Sequence, residues 1–221
     1  MLTLIAIVLS SSLLAAIFTG VTNIIMKNKE LMVKLTLEDK NKWSECINKS
    51  YNFHSQIVTE QLNLHIEIFA LYLKFGTSVR NSSIKKDNFN KELDLLNEKV
   101  ESISSCMKKT IKKHDVAYND LIFLIHQSTY VSECEVTKLI NDIDNIRIDL
   151  VFLIHKKKEV KFDKFSNQEI ENFVYETENS IMKKKRDISE DLAKLVKNEK
   201  EYMVEDILKG NIFTFVLKFF N

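Results

Sequence analysis

The hydrophobic pattern divides the chain into an uncharged front segment and a long region where apolar residues recur every three or four positions. The front segment runs from Met1 to Met26, and the first charged residue is Lys27. A helix of this length reaches about 39 Å, enough to cross a hydrocarbon core of about 30 Å with some tilt. We therefore predict a transmembrane helix over residues 1–26.

The lysines after the front segment predict its orientation. Lys27, Lys29 and Lys34 make residues 27–35 a basic juxtamembrane segment, and the positive-inside rule places the chain after it in the cytoplasm. The alternative is a cleaved secretory signal, but such a signal begins with a basic region, and no Lys or Arg precedes the apolar run. We expect a single-pass protein of the cell inner membrane with its N-terminus outside.

Small and polar residues form one stripe along the predicted membrane helix. Ser12, Ala16 and Gly20 recur every four residues, and Thr19 and Asn23 lie close to the same line. Small residues at this spacing let helix backbones approach, and the hydroxyl and amide groups can hydrogen-bond across the contact. The stripe predicts a homo-oligomer surrounded by membrane lipid, or the lining of a pore in a ring of subunits. The alternative is that such residues are common in any membrane helix.

Residues 36–209 show helical spacing in four stretches, at about 36–75, 84–127, 132–157 and 166–209. The chain has no proline and three glycines, too few turn residues for a sheet protein. We predict an all-α fold in which the single N-terminal transmembrane helix is followed by a cytoplasmic bundle of about four long antiparallel helices. The last helix has spacing that resembles a coiled coil. Full capping-box patterns mark two of the starts, at Ser132 with Glu135 and Ser166 with Glu169, and Thr36 with Asp39 resembles one, with Asp in place of Glu or Gln.

Two nearly identical runs, DLIFLIH at 120–126 and DLVFLIH at 149–155, each end on a histidine. Their central residues are apolar on every side of a helix, which predicts turns that are buried all round. We interpret the aspartate and histidine as polar rims of two core segments. A duplicated site built on His126 and His155 is the alternative.

Composition and sequence motifs argue against catalysis and against metal or cofactor binding. Lys plus Arg number 32 and Asp plus Glu 31, so no overall field attracts nucleic acid. Cys46, Cys106 and Cys134 have no paired spacing and fit reduced thiols in a cytosol. The chain lacks Cys-x-x-Cys, His-x-x-x-His and a glycine-rich phosphate loop. We predict a protein that is not an enzyme and that uses no metal and no cofactor.

A basic cluster stands out within the last predicted helix. Lys183, Lys184, Lys185 and Arg186 are consecutive, and they predict contact with nucleic acid or another anionic ligand. Acidic residues follow at Asp187 and Glu190, so a solvated helix face is the alternative.

The chain ends in an apolar aromatic tail, residues 210–221. Ten helical residues reach about 15 Å and cannot span a bilayer. Four antiparallel helices would bring this tail back to the membrane, so we predict that it lies in the interface. Capping of the bundle core is the alternative. The residues expected near the membrane are Phe213, Phe215, Leu217, Phe219 and Phe220.

An uncharged anchor of 26 residues joined to a helical bundle without catalytic motifs resembles small membrane effectors of bacterial antiphage systems. These include the membrane accessory protein of type VI-B CRISPR loci and channel-type effectors. The resemblance implies an oligomer whose anchors permeabilise the membrane when a cytosolic partner protein or nucleic acid acts on the bundle. A scaffold or signal-transducing coiled coil that tethers a partner is the alternative.

Overall fold

A computed structural model of the protein describes the backbone of residues 2–80, 88–159 and 167–210, and most side chains from 18 onward within those ranges. Four helices occupy this part of the chain, and it contains no strand. The predicted all-α fold is confirmed. The helices are α1 (Leu2–Arg80), α2 (Phe89–His126), α3 (Glu133–Glu159) and α4 (Asn167–Lys209).

The helices run alternately up and down, as the bundle prediction requires. Residues near the middle of α1 contact the end of α2, and residues near the end of α1 contact its beginning. α4 runs antiparallel to both α1 and α3. The contacts that define these directions are Trp43 with Leu124, Phe75 with Phe89, Lys40 with Glu199, Phe69 with Phe173, Asp149 with Lys184, and Glu135 with Asn198.

α1 is longer than the sequence pattern indicates. The predicted juxtamembrane segment 27–35 is helical, and Thr36 does not begin a new helix. Its hydroxyl donates to the carbonyl of Met32 at 2.9 Å, the internal bond that a threonine makes within a helix. Gly76 does not end the helix either, because α1 continues to Arg80. One interior glycine costs only about 1 kcal/mol relative to alanine, which the packing of the neighbouring turns outweighs.

The later helix bounds agree with the predictions to within a few residues. The serine half of the capping box at the start of α3 is formed, since the amide of Glu135 donates to the hydroxyl of Ser132 at 3.3 Å. That hydroxyl in turn donates to the Glu135 carboxylate at 3.1 Å. Ser166 lies outside the described residues, and α4 begins one residue after it.

The core is built from the apolar stripes that the sequence predicts. From α1 it includes Ile47, Val58, Leu62 and Phe69. Near the end of α4, Tyr202 continues the helical spacing of the apolar residues but is exposed, and its neighbour Met203 is buried. The remaining buried members on α4 are Ile170, Ile181, Ile188, Leu192 and Leu195.

The two repeated runs are not buried all round, so that prediction is wrong. Leu121 and Leu150 are fully buried, whereas Phe123 is 65% exposed and Phe152 is 55% exposed. The bundle covers one side of α2 and of α3, and the opposite side faces solvent. His126 is exposed, and the side chain of His155 lies outside the described residues.

The part of α1 before Lys40 and the part of α4 after Glu199 extend past the α2–α3 connection and lie side by side. We call α1 residues 29–39 and α4 residues 200–209 the stalk. Lys29 donates to the carbonyl of Leu208 at 2.8 Å, which ties the end of α4 to the stalk. α4 therefore returns towards the N-terminal segment, and the tail after Gly210 lies outside the described residues.

Within the described part of the chain, no helix carries an apolar stretch long enough to cross a membrane. The side chains of residues 1–15 and 17, which make up most of the predicted anchor, are outside the described set.

The repeat provides a matched test of which side of α2 supports the fold. Leu121→Ala removes a buried side chain and leaves a cavity, so we expect the free energy of unfolding to fall by about 2–5 kcal/mol. Phe123→Ala, two residues away on the exposed side, is expected to change it by about 0.5 kcal/mol or less. Urea unfolding followed by circular dichroism measures both. Equal losses for the two variants would contradict the described burial.

Candidate functional site

A buried carboxylate joins three parts of the bundle at its base. Glu199 of α4 is fully buried, and its oxygens accept hydrogen bonds from three consecutive backbone amides of the α2–α3 connection. These donors are Thr129 at 2.8 Å, Tyr130 at 2.8 Å and Val131 at 3.1 Å. Lys40 of α1 completes the arrangement with an ion pair of 2.5 Å. We call these five residues the Glu199 clamp.

Aromatic rings hold the cation of the clamp in place. The Lys40 ammonium lies 5.1 Å from the centre of the Trp43 ring and 5.6 Å from that of Tyr130. Both distances are within the range of a cation–π interaction. Trp43 also donates from its ring nitrogen to the carbonyl of Leu124 at 2.9 Å. The clamp therefore fixes α1, the α2–α3 connection and α4 relative to one another, immediately above the stalk.

The hydrogen bonds of the clamp keep Glu199 ionised despite its burial. Burial alone would raise the pKa of this carboxyl group. The hydrogen bond from Lys40 and those from the amides of Thr129 and Tyr130 outweigh that effect, so the pKa lies below its ordinary value. Ionised Glu199 is thus part of the stable fold.

Two histidines meet inside the bundle between α1 and α2. The Nε2 atoms of His54 and His114 are 3.1 Å apart, and both side chains are buried. A bond of this kind needs one ring to donate and the other to accept, so at least one ring is neutral. Burial, with smaller effects of His114 and Lys185, lowers the pKa of His54 to about 3. Burial also lowers the pKa of His114, while Asp115 raises it and Arg147 lowers it further.

The predicted basic cluster is divided among different surroundings. Lys184 pairs with Asp149 of α3 at 2.7 Å. Lys185 points towards α1, where it donates to the hydroxyl of Thr59 at 2.5 Å, and burial lowers its pKa. Only Lys183 and Arg186 are exposed. Contact with nucleic acid or another anion stays a prediction, and these two side chains are the ones that would make it.

The predicted membrane stripe lies on the continuous α1 helix. Ala16, Thr19, Gly20 and Asn23 are all exposed, and the side chain of Ser12 lies outside the described residues. A Cβ atom added at Gly20 would meet nothing within 4 Å. A larger side chain at Gly20 would therefore meet no other described part of the chain. The tail residues Phe213, Phe215, Leu217, Phe219 and Phe220 lie outside the described part.

A polar groove between α3 and α4 has a volume of about 350 Å³, and three of its charged side chains pair with one another. Asp191 accepts from Lys138 at 2.9 Å and from Lys194 at 3.1 Å. The hydrogen bond from Lys138 lowers the pKa of Asp191, against the opposing effect of burial. Among the described residues, no three His, Cys, Asp or Glu side chains come close enough to hold a metal ion.

The clamp and the histidine pair are not among the predicted sites, although the sequence carries a signal for each. Glu199 stands four residues after Leu195 in the apolar stripe of α4, and a charged residue at such a position marks a specific partner. His54 lies within the apolar stripe of α1, but its partner His114 is in a lysine-rich run that indicates a solvated face.

Comparison with known proteins gives no match to this chain, whether with protein-family models, curated proteins or solved structures.

Removal of the clamp carboxylate should destabilise the base of the bundle. Glu199→Ala leaves three backbone amides and the Lys40 ammonium without their acceptor, so we expect a loss of about 3–5 kcal/mol in the free energy of unfolding. Lys197→Met, which removes an exposed ion pair of 3.8 Å on the same helix, should cost about 1 kcal/mol or less. The fluorescence of Trp43, the only tryptophan, reports on this site directly. A Glu199→Ala loss no larger than that of Lys197→Met would contradict the role of the clamp.

Acid should destabilise the fold through the histidine pair. His54 titrates near 6.5 when unfolded and near 3 when folded, so between these values the unfolded chain binds more protons. The contribution of the histidine pair to the free energy of unfolding is therefore fully present above about pH 6.5. Below that pH the contribution falls, by up to about 1.4 kcal/mol per pH unit for each such histidine. Denaturant unfolding between about pH 7 and pH 5, above the titration of Glu199, measures this slope.

The histidine variants separate this effect from general acid sensitivity. The double variant His54→Leu with His114→Leu should flatten the slope over this pH range. His126→Leu, which changes an exposed histidine, should leave it unchanged. A slope that persists in the double variant would assign the acid sensitivity to other groups.

Proposed function

We propose that the protein is a membrane-anchored oligomeric effector that permeabilises or depolarises a bacterial membrane when a cytosolic partner or ligand acts on its bundle. The observation that carries this proposal is the continuity of α1 from Leu2 to Arg80. One helix includes the predicted anchor, the α1 part of the stalk and the first helix of the bundle. A change in the tilt or rotation of α1 in the bundle is thus transmitted to the anchor without a flexible joint.

The exposed surface of α1 supports the anchor. Phe18, Val21, Ile24 and Met26 are all at least half exposed, and no other described part of the chain covers them. Large apolar side chains at this density are costly in water and are stabilised in lipid. The predicted cell inner membrane location with the N-terminus outside, and the membrane helix over 1–26, belong to this proposal.

The return of α4 supports a membrane position for the tail. Leu208 lies beside Lys29, so the tail starts at the level where the uncharged segment of α1 ends. We propose that residues 211–221 enter the membrane interface and that Lys218 extends to the headgroups.

Antiphage defence is the biological setting that the architectural resemblance implies. The clamp is a suitable control point in this setting, because it couples the bundle to the stalk. A cytosolic protein or nucleic acid that strains the α2–α3 connection would act on Glu199 and hence on α1 and α4 together. Lys183 and Arg186 are the exposed cations available to an anionic regulator.

A non-channel scaffold that tethers a cytosolic partner is the second candidate. Ile148, Val151 and Phe152 are exposed together on α3, and such a group of apolar side chains favours a protein contact. A scaffold of this kind would need the anchor but would conduct no ions.

Ion flux from liposomes distinguishes the two functions. We expect the protein to float with liposomes and to release a trapped ion, with greater flux for Glu199→Ala, in which the clamp is open. Asn23→Leu, on the predicted pore stripe, should reduce the flux because it removes a polar group from the lining. Thr22→Val is the matched control, because the Thr22 hydroxyl bonds to the carbonyl of Phe18 in its own helix.

Flotation without flux, for both the unmodified protein and Glu199→Ala, would contradict the channel function and favour the scaffold. A failure to float would contradict the anchor itself.

A further inference from the structure

α1 carries a second apolar face that the bundle leaves uncovered. Five residues at alternating spacings of three and four form this face, which we call the seam: Val21, Ile24, Asn28, Leu31 and Leu35. The four apolar members are 51%, 62%, 55% and 51% exposed in that order. A spacing of 3.5 residues on average is that of a coiled-coil seam.

The seam lies on a side of α1 that does not face α4. In the stalk, α1 faces α4 with Met32, Val33, Thr36 and Leu37, all of which are partly buried. At 3.6 residues per turn, the centre of the seam is about 130° around α1 from the centre of this group. Higher up the helix the same side carries exposed Lys42, so no described part of the bundle covers it.

We propose that the seam binds the seam of a second copy of this chain in a parallel, two-stranded coiled coil. In heptad terms Val21, Asn28 and Leu35 occupy a positions, and Ile24 and Leu31 occupy d positions. Asn28 would meet the same asparagine of the second copy. A single asparagine at an a position specifies register and the two-stranded state, since a shifted register would bury its amide without a partner.

Charge complementarity favours the parallel arrangement. Lys34 takes a g position and Asp39 the following e position, which are the two that form ion pairs between parallel strands. Both side chains are exposed. The intrachain contact of Asp39 with Lys42 is 3.8 Å long and exposed, so it contributes little and does not prevent a new pair.

The pattern also sets the upper end of the coiled coil. The next seam positions after Leu35 hold Glu38, Lys42, Glu45 and Lys49. In a parallel pair each of these meets the same residue of the other copy, and like charges repel. The two copies therefore separate above Leu35, which leaves room for the two bundles.

This contact differs from the predicted association through Ser12, Ala16 and Gly20. That stripe lies about 100° around α1 from the seam. Most of the seam also lies after Met26, outside the predicted membrane helix, so the inference goes beyond the membrane function proposed above.

Site-specific disulfide formation tests the seam in the full chain, solubilised in detergent. Cys46, Cys106 and Cys134 are exposed and are first changed to serine. Leu31→Cys and Ile24→Cys should each yield a covalent dimer on mild oxidation, since identical d positions face each other only in a parallel pair. Glu30→Cys, exposed on the same turn but off the seam, is the matched control. Absent dimers at Leu31→Cys, or equal yields at Glu30→Cys, would overturn the proposal.

Oligomer size provides an independent test. Leu31→Asp should break the coiled-coil contact and reduce the size of the oligomer without loss of helix content, because Leu31 is exposed within the chain. Phe53→Asp, which changes an exposed apolar residue of α1 above the seam, should leave the dimer intact. An oligomer that resists Leu31→Asp but is lost in Gly20→Ile would assign assembly to the membrane stripe and overturn the seam. The membrane function has its own readout in liposome flotation, so the two can fail separately.

Discussion

The bundle depends on one buried negative charge. The connection between α2 and α3 contains neither glycine nor proline, and its backbone amides point into the protein at the start of α3. Buried amides without acceptors would cost about 1–3 kcal/mol each. Glu199 supplies the acceptor for three of them, and Lys40 compensates its charge. The same few atoms therefore hold the connection closed and lock it to α1 and α4.

Polar contacts higher in the bundle constrain how the helices can slide. Tyr51 donates to the carbonyl of Lys185, and His54 meets His114 across the α1–α2 contact. Apolar stripes alone would tolerate a shift of one helical turn, because one leucine or isoleucine replaces another at small cost. Each buried polar pair loses its partner in such a shift. We infer that these pairs fix the register of α1 against α2 and α4.

This arrangement lets α1 move as one rigid helix that is held at the clamp. Above Lys40 the helix is held by partners on several sides, and below it α4 is the one described element that accompanies α1 as far as Lys29. The seam and the membrane stripe both lie on the part of α1 below the clamp. Assembly of several copies and the state of the bundle would thus act on the same helix, which is the coupling that the proposed effector function needs.

The sequence by itself determined the class of fold and the four helical stretches of the bundle, because the absence of proline and the spacing of apolar residues leave few alternatives. It also located the buried stripes of α1 and α4 and the capping box at Ser132. The ends of α1 were predicted wrongly from the sequence. A threonine or a glycine within a helix becomes a boundary only when the surrounding packing does not continue the helix.

Only the tertiary structure decided which polar residues are buried and paired with one another. Glu199 and Lys40 are separated by 159 positions, and His54 and His114 by 60, so no local pattern relates them. The side of each repeated run that is buried was likewise decided by the neighbouring helices. Local propensity depends on residues within a few turns, whereas burial and pairing depend on which distant segments come together, and that information is expressed only when the chain is folded.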